Sequence, residues 1–334
     1  MSSKKHLVFI DREKWERDIF QKNFSRYYLT FLNHLGAFDK IRDAEVLSVF
    51  INTKVTENVL TKLPKLKFIT TRSTGFDHID AYACRKRGIK VANVPTYGEN
   101  TVAEHTFGLI LSLSRKIHQA VQRTKLSDFS IKGLRGFDLK GRTIGVIGAG
   151  HIGQHVIRIA HGFEMKVLVS DPCVNQKLAK EMNFKLVGLK ELLKNSDIVT
   201  LHCPLCPSTY QLINTKNIIL MKKGGILINT ARGELIDNRA IVNGLKKGIL
   251  AGVGLDVLEE EQLIHHEDNL LDSGFNMQAI RNIIEGHVLL KHPDVIVTPH
   301  IAFNSREAIE RIVNTTVFNI QSYLNSRPAN LVKV

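Results

Sequence analysis

The stretch RTIGVIGAGHIGQHVIRIA sets Gly148, Gly150 and Gly153 in G-x-G-x-x-G spacing, between the apolar run at 142–147 and a helical pattern. In that setting the first glycine permits a tight turn. The second lets the backbone approach a pyrophosphate, and the third lets the helix pack on its sheet. The unpaired N–H groups at the helix start, those of His151 and Ile152, then face phosphate oxygens. A second apolar run, KVLVSD, ends in Asp171, eighteen residues beyond Gly153. A carboxylate near that position accepts hydrogen bonds from the ribose hydroxyls. It also repels a 2′-phosphate, and Pro172-Cys173-Val174 follows it where an arginine would be needed. The chemistry is that of NAD rather than NADP. The alternative is a strand–helix turn with no nucleotide, and the placement between strand and helix together with the downstream acid argues against it.

Two other clusters invite chemistry. LDVLEEEQLIHH, residues 255–266, holds three adjacent glutamates and two histidines. Such charge runs ordinarily face water. Adjacent histidines also project in different directions on a helix or a strand, so His265 and His266 with Glu261 and Asp268 do not make a metal site, and no metal constellation is expected elsewhere. Cys203 and Cys206 form a C-x-x-C, which reads as a redox pair or half a zinc site. No second C-x-x-C exists, and Pro204 and Pro207 mark a loop, which argues against both readings.

The elements that would position these residues alternate. HLVFID, VLSVFI, KFITT, GIKVANVP, RTIGVIG, MKVLVSD, DIVTLH, GGILINT, AGVGLDV and DVIVTPH are β-rich runs, and helical patterns such as TVAEHTFGLILSLSRKIHQAV and HIGQHVIRIAHGF separate many of them. Alternation of this kind means βαβ units and parallel sheets. It restarts near residue 142, after a long helix near 102–125 and a polar, glycine-containing stretch. The fold class is α/β with two units, and 334 residues allow two cores. An irregular piece from Glu259 to His292 contains one helical pattern, MQAIRNIIEGHVLL, and is either a covering element or a solvated excursion.

Composition narrows the class. A hydrophobic fraction of 43% and a charged fraction of 23% are those of a globular protein. No apolar run approaches the ~18 residues of a membrane span, and the N-terminal LVFI is too short for a signal segment. The cytoplasm is the expected location. The net charge of +14 raises the question of nucleic acid, but the basic residues are scattered and no aromatic-interleaved basic stripe exists, so a surface attracting small anionic metabolites is favoured.

STGFDHID, VPTYGENTVAEHT, GAGHIG, LHCPLCPST, NTARGELID, GLDVLEEE and VTPHIAF occur in this order along nearly the whole chain. Together they resemble the D-isomer-specific 2-hydroxyacid dehydrogenases. The tyrosine of VPTY, the RSTG form and the long segment before TPH look most like the D-lactate dehydrogenase branch. The resemblance implies a flavodoxin-like substrate domain, residues 1–102 plus 301–334, interrupted by a Rossmann NAD-binding domain, residues 103–300. It also implies a cleft active site closed by a hinge, and a homodimer built largely through the cofactor domains.

By the same resemblance, Arg232 of NTARG holds the carboxylate and carbonyl of a 2-oxo or 2-hydroxy acid. Its guanidinium stays charged and can grip two oxygens, and it follows the apolar strand GGILIN, at the edge where such sheets bind ligands. His300 of VTPHIAF is the acid in reduction and the base in oxidation. Histidine type alone says little among fourteen, and His34, His118, His161, His265, His266 and His287 read as surface or structural residues. The glutamate that keeps the histidine protonated lies, in the family, five residues after the aspartate of G-x-D-V. From Asp256 that is Glu261, which leaves Glu259 and Glu260 as a solvated rim. Many members carry proline next, where this chain has Gln262.

Asp256 matches the nicotinamide side of the cofactor. Thr230 and Ala231 line it, Cys203 and Pro204 border the adenosine or ribose, and Thr209 contacts it. Thr74 and Gly75 match a loop whose N–H groups cradle the substrate carboxylate. Tyr97 reaches the substrate, and Phe303 either walls its side chain or packs in the core. The expected reaction is reversible hydride transfer between NADH and a small 2-oxo acid, pyruvate to D-lactate first. The alternatives are glyoxylate, hydroxypyruvate or a bulkier 2-oxo acid and, in a different class, a dinucleotide-sensing corepressor.

Overall fold

The computed structural model of the chain describes residues 4–10, 14–259 and 277–332. The first strand, β1 (His6–Ile10), is buried at every residue, as a parallel strand with helices on both faces must be. Its side chains alternate between two cores, Leu7 and Phe9 in one and Val8 and Ile10 in the other. There follow α1 (Lys14–Phe24), β2 (Tyr28–Leu32), α2 (Phe38–Ile41), β3 (Val46–Val49), α3 (Glu57–Lys62), β4 (Phe68–Thr71), α4 (Ala81–Lys86) and β5 (Lys90–Ala92). These strands form a parallel sheet in the order β2-β1-β3-β4-β5, the flavodoxin-like winding.

The chain continues through α5 (Glu99–Ser114), α6 (Ile117–Lys125), β6 (Thr143–Ile147), α7 (His151–Gly162), β7 (Lys166–Ser170), α8 (Gln176–Glu181), β8 (Lys185–Leu186), α9 (Leu189–Asn195), β9 (Ile198–Leu201), β10 (Gly225–Asn229), α10 (Asn238–Lys246), β11 (Leu250–Leu255), α11 (Met277–Leu290) and β12 (Val295–Val297). The second sheet is parallel throughout, in the order β12-β11-β10-β9-β6-β7-β8. The last helix, α12 (Arg306–Leu324), returns to the first unit. Contacts divide the chain into Met1–Tyr97 with Ser305–Val334, and Gly98–Asn304. The division falls a few residues outside the 102/103 and 300/301 boundaries read from sequence, because α5 begins at Glu99 and Ser305 caps α12.

Three local features differ from the sequence reading. The long helix near 102–125 is two helices, broken at Lys116, whose φ of 56° is left-handed. Neither glycine nor proline marks the break. Tertiary contacts make it: Lys116 Nζ pairs with Asp294 at 2.8 Å, and the Phe137 N–H takes the Ser114 carbonyl at the end of α5 at 2.9 Å. Strands β2 and β8 have no counterpart among the β-rich runs. The first is a half-exposed edge strand and the second has two residues.

Each sheet reverses its winding once, between β1 and β3 in one and between β6 and β9 in the other. Ligands of such sheets bind at that switch point. In the first unit Arg72 occupies it. This arginine is 1% exposed, and it donates to Ile10 O at 2.8 Å and Ser48 Oγ at 3.3 Å, with Glu16 at 3.8 Å. A buried cation so satisfied is a fixture of the core. In the second unit the switch point is lined by glycine.

Candidate active site

The glycine turn at the end of β6 is shaped by contacts that differ at each position. Gly148 has φ +92°, and a Cβ there would lie 2.7 Å from Cys203 N and His202 C. A Cβ on Gly153 would lie 2.1 Å from Gly148 O, so the helix rests directly on the turn. Around Gly150 a Cβ would meet nothing within 4 Å. Two glycines are therefore required by the protein itself, while the third keeps open space clear at the N-terminus of α7. The N–H groups of His151 and Ile152 at that terminus donate to no acceptor among the described residues. Asp171, just past β7, accepts Ala149 N–H and Cys173 N–H at 2.8 Å each, one per carboxylate oxygen. The acid is thus tied to the turn, and each oxygen keeps a lone pair for a ribose hydroxyl. Donors, open cradle and acid together fit a dinucleotide.

The loop after β9 forms the other wall. His202 donates its backbone N–H to Ile147 O at 2.7 Å, and its ring Nε2 meets Thr200 Oγ1 at 2.8 Å. Its Nδ1 is buried with no partner, and burial pushes the imidazole down to about 3. It is a neutral histidine at the switch point, and sequence reasoning passed over it. Its position one residue after a strand end was the available signal. Cys203 is half-buried, its thiol pushed up by burial to about 11. Cys206 is drawn down to about 7, first by the hydroxyl of Ser208, whose oxygen lies 3.1 Å from its sulfur, with Thr209 Oγ1 at 3.3 Å. Thr209 also donates to Pro204 O at 2.7 Å and accepts Cys206 N–H at 2.8 Å, so its hydroxyl closes this loop.

The ends of β10, β11 and β12 carry the candidate reacting groups. Asn229, 1% exposed, donates to Arg232 O at 2.8 Å and accepts Ala231 N–H at 3.0 Å. It clips the turn that presents Arg232, a role of asparagine at strand ends that the sequence reading missed. Thr230 Oγ1 points to Thr106 Oγ1 on α5, at 3.0 Å. The half-buried Arg232 donates through Nη1 to Ala231 O at 2.8 Å. Behind it Gly233 is indispensable, because a Cβ there would lie 2.2 Å from the Leu258 carbonyl and 2.4 Å from Glu259 N. This contact corrects one expectation. Glu259 is not a solvated rim acid: it is 4% exposed, packed behind the arginine turn, with Tyr210 Oη and Gln211 Nε2 each at 3.5 Å.

Asp256 is 1% exposed. Its Oδ1 accepts from Thr298 Oγ1 at 2.5 Å and Ile301 N–H at 2.9 Å, and its Oδ2 accepts from Ala302 N–H at 2.8 Å. Its carbonyl accepts His300 N–H at 2.9 Å, and its own N–H reaches Asn229 O at 2.9 Å. The carboxylate assigned from sequence to the cofactor face is therefore first the post around which the 298–302 turn is wrapped, with one Oδ2 lone pair remaining. The turn carries His300 at φ 53°, in the left-handed region. The Phe303 ring stands edge-on to the imidazole, 6.5 Å between centroids.

Thr74, Gly75 and Tyr97 belong to the other unit. Thr74 Oγ1 donates to Val94 O at 2.8 Å, Asn93 Nδ2 to Thr74 O at 2.7 Å, and Ser73 Oγ to Gly75 O at 2.6 Å. The loop is thus held by its side chains and carbonyls, and the N–H groups of Thr74 and Gly75 donate to no acceptor among the described residues. The Tyr97 carbonyl accepts from Arg311 Nε. Glu261, with Glu260, Gln262 and the two histidines after them, lies outside the described residues. Among the described residues no group of His, Cys, Asp or Glu is placed to hold a metal ion, and no helix is long and apolar enough to cross a membrane.

A parallel sheet with a glycine-lined switch point, an arginine after β10 and a histidine after β12, on either side of β11, fit a dinucleotide-dependent oxidoreductase. Residues 107–302 match the model for the D-isomer specific 2-hydroxyacid dehydrogenase NAD-binding domain, and the chain belongs to that family. It is an NAD-dependent enzyme acting on the CH–OH group of D-2-hydroxy acids. It is 38% identical over 280 residues to the D-lactate dehydrogenase of Escherichia coli strain K12, covering 83% of each chain. Over 280 residues it is 39% identical to an aromatic 2-oxoacid reductase of Clostridium sporogenes, covering 83% of this chain and 82% of that one. The structure of Aquifex aeolicus D-lactate dehydrogenase complexed with NAD and lactic acid superimposes with a TM-score of 0.87 at 35% identity, over 96% of both chains.

Proposed function

We propose that the chain interconverts pyruvate and D-lactate. The observation that carries the reading is that buried Asp256 holds the His300 turn directly and bonds Asn229, which clips the Arg232 turn, on the sheet that holds the glycine turn. Reduction of a 2-oxo acid requires a held carboxylate, a polarised carbonyl and a proton, while bound NADH supplies the hydride. Gly148, Gly150, Gly153 and the N–H groups of His151 and Ile152 would hold the pyrophosphate, and Asp171 the adenosine ribose. Cys203, Pro204, Thr209, Thr230, Ala231 and Asp256 would border the rest. Arg232 grips the substrate carboxylate and polarises its carbonyl. His300 gives its proton to the carbonyl oxygen and takes it back in oxidation. Glu261 favours the charged imidazole. The N–H groups of Thr74 and Gly75 suit a carboxylate, and Tyr97 and Phe303 are the residues assigned to the substrate side chain.

A panel of 2-oxo acids with NADH oxidation as readout tests this. Pyruvate should give the highest kcat/KM, ahead of glyoxylate, hydroxypyruvate and phenylpyruvate. Preference for phenylpyruvate would move the substrate to the bulkier class, to which the aromatic reductase relative belongs by name. NADH binding without turnover on any acid would instead favour a sensor.

The same reading includes a cytoplasmic homodimer that does not bind nucleic acid. Its four cysteines are unpaired, which suits a reducing compartment. Helix α6 buries none of its residues, and Ile117, Val121, Leu126, Phe129 and Ile131 are all exposed. An apolar face of that kind ordinarily has a partner, and a second copy is the partner proposed. Sedimentation at micromolar concentration should give a dimer, and Phe129→Asp a monomer.

A further inference from the structure

One histidine of the cofactor unit is bound into the site from behind. His105 projects from α5, its side chain 22% exposed, and its Nε2 lies 3.5 Å from Asp256 Oδ1 and 3.1 Å from Thr298 Oγ1. The Thr298 hydroxyl has a single hydrogen, directed at Asp256 Oδ1 at 2.5 Å. Towards His105 it therefore presents only a lone pair, so His105 Nε2 is the donor and carries a proton.

A buried carboxylate is stable only while donors surround it, and a network of this kind fails as a unit when one member is removed. The donors of Asp256 are Thr298, Ile301 N–H and Ala302 N–H, with His105 behind Thr298. Asp256 in turn takes His300 N–H on its carbonyl and holds the turn in which His300 sits at φ 53°. We infer that His105 is a positioning residue of the reaction, aiming His300 through Thr298 and Asp256. This rests on the assignment of the transferred proton to His300 made above.

The full-length enzyme, assayed with pyruvate and NADH, tests the chain of contacts. His105→Leu removes the donor and should lower kcat by about 10–100-fold, the scale of a small misplacement of a reacting group. The KM for pyruvate and the Kd for NADH should move less than about threefold, as expected when ground-state binding is untouched. His105→Gln places an amide N–H where Nε2–H was, and should return kcat to within about threefold of the parent enzyme. Thr298→Val cuts the same link from the other side and should resemble His105→Leu.

Unchanged kcat in His105→Leu would overturn the inference. So would His105→Gln as slow as His105→Leu with an equal loss of Tm, the mark of a packing role. His300→Gln is the control and should abolish turnover with NADH binding intact. If it turns over normally, the assignment of the proton fails and this inference with it. If it is inactive while His105→Leu is normal, this inference alone fails.

Discussion

Gly150 and Gly153 are three residues apart in one motif, and alanine should damage them in different ways. At Gly153 a Cβ would sit 2.1 Å from the carbonyl oxygen of Gly148. That oxygen is backbone in a turn pinned on both sides, by Gly148 N–H to Ser170 O at 3.0 Å and by His202 N–H to Ile147 O at 2.7 Å. The helix must move away or the turn must open. Overpacking of this kind costs about 1–3 kcal/mol, which lowers Tm by roughly 4–8 °C at the middle of that range for a unit of this size.

At Gly150 a Cβ would meet nothing within 4 Å, and φ of −66° suits any residue. Gly150→Ala should therefore leave the apo-protein as stable as the parent. The methyl group would instead stand in the space kept clear for the pyrophosphate. Pushing the phosphates off one charge-assisted N–H bond loses about 1.5–3 kcal/mol, or about 10–100-fold in Kd. The assay is a thermal melt of both variants without cofactor, followed by NADH titration on intrinsic fluorescence. Unchanged NADH affinity in Gly150→Ala would refute the reasoning, as would an apo-Tm loss equal to that of Gly153→Ala.

Asp171→Ala should weaken NADH by at least about 10-fold, the worth of one charged hydrogen bond, and weaken NADPH far less; equal losses would remove the basis for NAD preference. The His202 imidazole, held neutral with its pKa pushed down to about 3, binds a proton only in the unfolded chain below about pH 6.5. Its contribution to stability is present above that pH and is lost as the pH falls towards 3, at most on the order of 3 kcal/mol by pH 4. In acid titration His202→Asn should flatten the decline between pH 6 and pH 4, and an unchanged slope would exclude it as the cause. Cys206, drawn down to about 7, should be alkylated by iodoacetamide ahead of Cys203 and Cys84, both pushed up to about 11. Modification at position 206 should climb through pH 7, and Cys206→Ser should leave only that of the exposed Cys173 at neutral pH, whereas modification of Cys203 first at neutral pH would contradict it.

The parts of this site that sequence made legible are those governed by short-range geometry. Turn, close approach and helix packing occupy six consecutive positions, 148–153, so their spacing alone carries the chemistry. Asp171 follows because one helix and one strand of ordinary length separate it from the turn. The remainder depends on contacts between distant segments. Three glutamates at 259–261 are chemically equal in the sequence, and only the approach of Gly233 to Leu258 and Glu259 shows that the first is buried. His105 reads as one histidine among fourteen until Thr298, 193 residues later, is brought to 3.1 Å. Asp256 is the instructive case. The family resemblance singled it out, but what its carboxylate bonds to was set by Thr298, Ile301 and Ala302, whose backbone path no local pattern encodes. A motif thus identifies where an acid stands, and its bonding partners determine whether it meets a ligand or aims the residue that does.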